Sequence, residues 1–201
     1  SIGRSFDIGS DQAREHARSV VREALKGQPI RVVTALVNEI LSMLPEDRWR
    51  ELNERYYSEE PMTWDDVTRL HRAGATIGSH CHDHALLHDK ESAEEINRQL
   101  TTSKELIEAR TGPCNYFVYP NGTEQDISVR AVTEVGNAGY TLGIASVRGE
   151  VSAACDPRIL PRLPGSKAPG MLELQLAARS LFNRNYASWA AGLQADLRSA
   201  A

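Results

Sequence analysis

The chain has 201 residues, of which 41% are hydrophobic and 25% charged, a balance typical of one sizeable globular domain. Its formal net charge of −4 argues against nucleic-acid binding, because no basic excess is present to neutralise phosphates. The three cysteines are widely spaced, which argues against a disulfide framework, and no stretch approaches the ~20 apolar residues of a membrane span.

The first third of the chain shows helical periodicity throughout. Ser10 or the aspartate after it is a suitable N-cap for a helix that runs to Lys26, just before a glycine. Apolar residues at helical spacing predict a second helix after Pro29, and Pro45 begins a third, short one. This part of the chain offers no residues with evident chemistry.

From Thr63 onwards, predicted helices and strands alternate. Thr63 is an N-cap candidate, with Asp65 and Asp66 in the first turn of the helix that follows. The remaining pattern predicts strands over 75–80, 115–119, 140–146 and 158–164 and helices over 92–110, 128–138 and 172–182, with a terminal helix around Trp189, Leu193 and Leu197. This alternation predicts an α/β fold with right-handed crossovers and a parallel sheet.

The segment from Ile77 to Leu87 combines three of the six histidines with a thiol and a carboxylate. His80 and His84 are four residues apart, so a tight turn would let both imidazoles bind one divalent ion. If the segment is extended, His82 points the same way and a triple-histidine site remains open. Asp83 could be a third ligand or could orient an imidazole. The alternative is a polar loop whose histidines only titrate.

Two loops with polar residues follow neighbouring predicted strands. His80–His84 follows one strand and Tyr119–Gly122 follows the next. Because ligand sites of α/β folds lie at the carboxyl ends of parallel strands, the two loops are expected to be neighbours at one mouth. We expect His88 to be an exposed loop residue, and His71 and His16 to lie on the surfaces of helices.

Several segments, in order, resemble motifs of the NodB-type polysaccharide deacetylases, carbohydrate esterase family four. The family's second motif is similar to two segments, Met62–Asp66 and Ala73–His80, followed by His84 and Leu87. Its third motif, in the Tyr-Pro-x-Gly variant, is similar to Phe117–Gly122. Later family positions are similar to Ala138–Tyr140 and Leu160–Arg162. The resemblance implies a distorted (β/α) barrel and a divalent ion, usually zinc, held by an Asp and two His. On this sequence the two histidine ligands are His80 and His84, and His82 is at a position that the family does not use.

The activity that the resemblance implies is hydrolysis of N-acetyl groups on an amino-sugar polysaccharide. In that reaction the ion activates water, and the ion and a backbone N–H stabilise the oxyanion. In this sequence, the resemblance assigns that backbone N–H to Asn121. Substrate contacts are expected from Tyr119, Pro120, Asn121, Gly122 and Arg162.

The chain departs from the family pattern at three places. The first motif, Thr-Phe-Asp-Asp-Gly, which supplies the general base and the third metal ligand, has no match here. Val118 replaces the usual arginine of the third motif, and Arg162 either compensates by pairing with an acidic group near the site or is a surface residue. No histidine follows His88, so the late Leu-x-His motif that supplies the general acid is also absent.

These departures suggest that the sequence is part of a longer deacetylase. Residues 1–60 resemble a helical insertion, and residues 61–201 then form the core of one deacetylase-like domain, a partial or distorted barrel whose open apolar edge favours a homodimer. The chain alone is expected to bind a divalent metal weakly and to hydrolyse little. The alternatives are a degenerate member that binds glycan or metal without turnover, and a structural metal site in an interaction domain. A bacterial protein, either cytoplasmic or exported, is compatible with the sequence.

Overall fold

A computed structural model describes residues 5–6, 8–56, 61–163, 165 and 179–199. The chain divides into two compact units, Ser1–Glu60 and Pro61–Ala201. Among the described residues, no helix is long and apolar enough to cross a membrane. The three cysteines, Cys81, Cys114 and Cys155, are free thiols in the structure.

The first unit contains the three predicted helices, α1 (Asp11–Lys26), α2 (Ile30–Ser42) and α3 (Glu46–Tyr56). The Ser10 side chain caps α1 by accepting a hydrogen bond of 3.1 Å from the Ala13 amide, and Gly27 follows the last turn. No side chain of α1 or α2 is buried in the described structure. The apolar residues of α2 therefore keep much of their surface exposed, Ile40 at 47% for example.

The second unit begins with α4 (Trp64–Arg72), whose start confirms the prediction for Thr63. The Thr63 hydroxyl accepts from the Asp66 amide at 3.2 Å, and the Asp66 carboxylate accepts from the Thr63 amide at 2.9 Å. The Thr63 hydroxyl also donates to the Asp66 carboxylate at 2.7 Å, and this bond, followed by the one from the Thr63 amide, lowers the pKa of Asp66. The Thr-Trp-Asp-Asp sequence is thus a capping box at a helix start and does not supply the missing first motif.

The remaining elements are α5 (Ala93–Thr111), β1 (Tyr116–Val118), α6 (Val129–Asn137), β2 (Leu142–Ile144), a 3-10 helix (Pro157–Ile159) and α7 (Arg179–Ser199). Strands β1 and β2 pair in parallel, with Phe117 opposite Gly143, as predicted. The buried core includes Leu87, Ile96, Leu100, Phe117, Val132, Val135 and Ile159. The predicted terminal helix is confirmed, whereas residues 172–178 of the predicted helix over 172–182 are outside the described residues.

The predictions of two strands are wrong, because in the structure each segment forms only one bridge to the neighbouring strand. The prediction over 75–80 survives only as a parallel bridge between Ser79 and Phe117. Pairing ends there because the chain turns at Cys81, whose φ of 66° is left-handed. The prediction over 158–164 is replaced by the 3-10 helix and a bridge between Ile144 and Leu160. Here Pro157 begins a helical turn in place of a strand. The carbonyl oxygen of Arg158 then lies so close to β2 that only a glycine fits at position 143.

Candidate active site

The loop that follows Ser79 brings the imidazoles of His80 and His84 together. Two backbone hydrogen bonds of 2.9 Å, from the Ser79 amide to the Tyr116 carbonyl and from the Val118 amide to the Ser79 carbonyl, fix the loop's start against β1. Left-handed φ angles at Cys81 (66°) and His84 (55°) then turn the chain. The two rings meet edge to face, with centroids 4.8 Å apart. Non-glycine residues in this conformation are strained, and such strain is concentrated at functional sites.

The His80 ring is oriented by a backbone carbonyl. Its Nδ1 lies 2.7 Å from the Val118 oxygen, and because a carbonyl can only accept, Nδ1 carries the proton and donates. The other nitrogen, Nε2, therefore keeps its lone pair in the neutral ring. Metal-binding histidines in proteins are typically held in this way. His80 is exposed and thus accessible from solvent.

Asp83 fastens the loop to α5. The Gln99 side chain donates to the Asp83 carboxylate at 2.9 Å and accepts from the Asp83 amide at 2.8 Å, and Arg98 forms an ion pair with the same carboxylate. The hydrogen bond from Arg98 is the main cause of the lowered pKa of Asp83. The sequence did not predict this role of Arg98 and Gln99, because Asp83 lies 15 and 16 residues before them, on a separate loop.

The remaining candidates of the segment do not join the pair. His82 Nε2 lies 3.7 Å from the Asp83 carboxylate, and the left-handed turn at Cys81 removes the extended geometry that would align three histidines. Burial raises the pKa of the Cys81 thiol, which keeps it protonated. Among the described residues, no group of three or more His, Cys, Asp or Glu side chains is placed to hold a metal ion. The candidate site in the described residues is therefore the pair of imidazoles of His80 and His84.

The three other histidines fall into two classes. His16 and His71 are exposed on α1 and α4, as expected. His88, in contrast, was expected to be exposed and is only 7% exposed, so that prediction is wrong. The reason is tertiary: the chain at Leu87 pairs with Ile127 in a parallel bridge, which carries the next residue inwards.

The turn from Tyr119 to Gly122 follows β1 directly. Tyr119 and Pro120 are buried, and the Tyr119 hydroxyl donates to the Arg158 carbonyl at 2.9 Å. Asn121 and Gly122 both have left-handed φ, 53° and 71°. A side chain at 122 would place its Cβ 2.9 Å from both the Ser146 nitrogen and the Tyr119 oxygen, so only glycine fits. Asn121 is exposed at the crest of the turn, and no acceptor in the described part of the chain is paired with its amide.

The two loops are connected through β1, as their positions predicted. The His80 ring binds the carbonyl of Val118, the residue immediately before the Tyr119–Gly122 turn. Arg162 is exposed, and its guanidinium donates to the Ser146 hydroxyl at 2.5 Å. Ser146 in turn donates its amide to the Gly122 carbonyl at 2.7 Å. Of the two alternatives for Arg162, an acidic partner near the site or a surface position, its exposure fits the second, and its contact beside the turn is with the hydroxyl of Ser146.

The polysaccharide deacetylase family profile matches residues 4–142, well over half of the chain. The protein therefore belongs to the polysaccharide deacetylase family, and the NodB-type resemblance of its motifs is confirmed. This is a family of hydrolases that act on carbon–nitrogen (amide) bonds. The helix-rich second unit with its parallel strands fits an α/β deacetylase fold.

The solved structures that are similar to the chain include three deacetylases. They are the deacetylase PplD of Streptococcus pyogenes in complex with acetate (20% identity, TM-score 0.48, 56% of this chain and 48% of that one), the deacetylase domain of BpsB from Bordetella bronchiseptica (19%, 0.44, 50% and 48%), and a de-N-acetylase from Aggregatibacter actinomycetemcomitans (16%, 0.38, 51% and 47%). The chain spans about half the length of each of these structures. No curated protein matches it.

Proposed function

We propose that this protein is a metal-dependent deacetylase that hydrolyses N-acetyl groups on an amino-sugar polysaccharide. The observation that carries the proposal is the pair of His80 and His84, with rings 4.8 Å apart, in a member of the polysaccharide deacetylase family. The donor set suits a divalent ion such as zinc, since two imidazoles lie side by side and one of them is oriented by a carbonyl. We infer that His80 Nε2 and a nitrogen of His84 hold the ion.

The chain's own residues then divide the remaining tasks. When bound, zinc supplies Lewis-acid polarisation and an activated water molecule. The Asn121 amide, at the crest of its left-handed turn, donates to the oxyanion that develops from the acetamide carbonyl. Tyr119, Pro120 and Gly122 hold that turn in place, and Arg162 offers its guanidinium to the hydroxyl groups of the sugar. The proposed reaction also needs a carboxylate as general base, and we assign no residue of this sequence to that role.

The architecture proposed with this activity is a partial or distorted (β/α) barrel. We place residues 1–60 as a helical insertion and residues 61–201 as the core of the same domain, within a longer deacetylase. The ladder that runs from Ser79 through β1 and β2 to Leu160, all in parallel, supports this arrangement. We also propose a homodimer, because a partial barrel has an open sheet edge at which a second copy can associate.

Zinc binding tests the site. Isothermal titration of the metal-free protein with zinc is expected to show one weak site, because two protein ligands are available. Replacement of either histidine, by His80→Ala or His84→Ala, is expected to abolish it. His71→Ala is the matched control, since His71 is an exposed helix residue, and its zinc affinity should equal that of the unchanged protein. Unchanged zinc binding in both site variants would contradict the assignment.

A second candidate function, glycan or metal binding without turnover, is favoured by one observation. The described residues include no carboxylate that joins the two histidines. Acetate release from an N-acetylglucosamine oligomer, with zinc present, separates the two functions. The chain alone is expected to release little acetate, and addition of a segment that carries an Asp-Asp pair is expected to raise the rate. Robust release by the 201-residue chain would show that its base is already present and is misplaced in our proposal.

A further inference from the structure

Helix α5 holds the residues that immediately precede the two histidines of the candidate site. Ser79 is 1% exposed, and its hydroxyl oxygen lies 2.7 Å from that of Ser103. Four residues further along the loop, the Asp83 amide donates to the side-chain oxygen of Gln99 at 2.8 Å. Gln99 and Ser103 are also four residues apart, so they lie on one face of α5, a single turn from each other. The loop thus meets α5 at two points, one before each imidazole.

The Gln99 side chain is fully buried, and hydrogen bonds fix its orientation. Besides accepting from the Asp83 amide, it donates to the carboxylates of Asp83 at 2.9 Å and of Glu95 at 2.8 Å. Its oxygen therefore faces the loop, and both of its N–H groups are used. Any other orientation would leave buried polar groups without partners, which is unfavourable, so Asp83 is held in one position. Arg98 reaches the same carboxylate from the surface, where an ion pair contributes less.

The Ser103 hydroxyl holds Ser79 in a similar way. It donates its one proton within α5, to the carbonyls of Gln99 at 2.8 Å and Leu100 at 3.1 Å. The Ser79 hydroxyl is therefore the donor in the contact between the two serines. Both serines are buried, so the contact is shielded from solvent.

Between these two points the chain makes a strained turn. Cys81 and His84 have left-handed φ angles of 66° and 55°, which residues other than glycine adopt only where the surrounding structure imposes them. The contact at Ser79 fixes where the loop leaves β1, and the contact at Asp83 fixes where it returns. If either contact were lost, the loop could relax towards commoner φ angles and the two rings, with centroids 4.8 Å apart, would separate.

We propose that Gln99 and Ser103 are positioning residues, which hold the imidazoles of His80 and His84 at the separation that a divalent ion requires. This inference rests on the metal site proposed above. Each of the two side chains acts through the residue before a histidine, and neither is placed to touch the ion or the substrate. Their contribution is to metal affinity, because a pair of ligands that is already ordered binds the ion without the entropic cost of ordering the loop.

Two measurements on the 201-residue chain test this role. One is the zinc Kd from isothermal titration, and the other is the NOE between ring protons of the two histidines in the metal-free protein. Gln99→Leu removes the buried amide at similar volume, and Ser103→Ala removes the hydroxyl. Each is expected to raise the zinc Kd about tenfold, as loss of a group that orients metal ligands typically does, and to weaken the NOE. Arg98→Ala is expected to raise the Kd less, because its ion pair is exposed.

Asn97→Leu and Thr101→Val are matched controls on the same helix. The Asn97 amide donates to Glu134 on α6 at 3.5 Å, and the Thr101 hydroxyl donates to the Asn97 carbonyl at 2.8 Å, so these hydrogen bonds do not involve the histidine loop. Both controls should keep the Kd and the NOE of the unchanged protein. Amide spectra of β1 and β2 show whether each variant is folded, and if Gln99→Leu does not fold, Ser103→Ala decides.

A merely structural role of Gln99 and Ser103 would lower the Tm and leave the zinc Kd and the NOE of the folded variants unchanged. That result would overturn the positioning role, and the proposed function would stand. If the unchanged protein bound no zinc, the metal-dependent function would be contradicted, and the NOE would decide the positioning role alone. Its loss in the two variants would then support control of the ring separation by α5, and its persistence in both would overturn it.

Discussion

Substitution of Gly122 by alanine tests the geometry of the Tyr119–Gly122 turn. The residue has a φ of 71°, where an alanine costs about 1–2 kcal/mol. The new Cβ would also lie 2.9 Å from two backbone atoms, Ser146 N and Tyr119 O, which cannot move aside as a flexible side chain could. Overpacking of this kind typically adds about 1–3 kcal/mol. We therefore expect Gly122→Ala to lower the free energy of unfolding by about 2–5 kcal/mol.

Gly139→Ala separates the two contributions. Its φ of 79° is nearly the same, but the nearest atom to its Cβ would be Lys104 Cε at 3.8 Å, an ordinary contact. The control should lose only the backbone contribution. At about 2–4 °C per kcal/mol for a chain of this size, the Tm of Gly122→Ala should lie roughly 2–12 °C below that of Gly139→Ala in a calorimetric scan. Equal Tm values would refute the close approach of Ser146 to the turn.

Two further predictions concern the contacts that Arg158 makes with Tyr119 and with Asp156. Tyr119→Phe removes the buried hydroxyl that donates to the Arg158 carbonyl at 2.9 Å, and urea unfolding should show a loss of about 1–2 kcal/mol. Asp156 accepts from the Arg158 guanidinium at 2.7 and 3.0 Å, which lowers the pKa of its carboxyl. The stability it adds is fully present above the unfolded-state pKa of about 3.9 and is lost as the pH falls through the lower folded-state pKa. The gap in urea midpoint between the unchanged protein and Asp156→Asn should thus be larger at pH 7 than at pH 3.

Each of these predictions has a result that contradicts it. Tyr116→Phe is the control for the buried hydroxyl, because Tyr116 is 37% exposed, and its change should stay within about 0.5 kcal/mol. A similar loss in both tyrosine variants would mean that the hydroxyl of Tyr119 is not the cause. For Asp156, an equal gap at both pH values would mean that the charge of the carboxylate does not stabilise the fold.

Local signals in the sequence account for the helices and for the family. Ser10, Thr63, Ser92 and Ser128 each begin a helix in the structure by accepting a hydrogen bond from an amide three residues on. A cap needs only residues a few positions apart, so it can be read from the chain directly. The spacing of the deacetylase motifs is equally local, and it led to the family that the profile match confirms. The two-histidine site and its cofactor remain predictions.

Strand extent and the roles of individual polar residues could not be read in this way. A strand is defined by its partner, and the predicted strands over 75–80 and 158–164 each find only one bridging residue. The alternation of histidines suggested an extended segment, but the left-handed φ at Cys81 arises where the loop meets β1. Burial of His88 depends on the bridge between Leu87 and Ile127, which are 40 positions apart.

The sequence by itself determined the helix boundaries, the parallel order of β1 and β2 and the family, because these depend on periodicity, caps and motif spacing. Only the tertiary structure decided that the Val118 carbonyl orients the His80 ring, and that Arg98 and Gln99 fasten Asp83 to α5. It also decided that a glycine is required at 122, since the atoms that crowd this position belong to a distant loop. These features arise from contacts between segments far apart in the chain, and no local pattern encodes them.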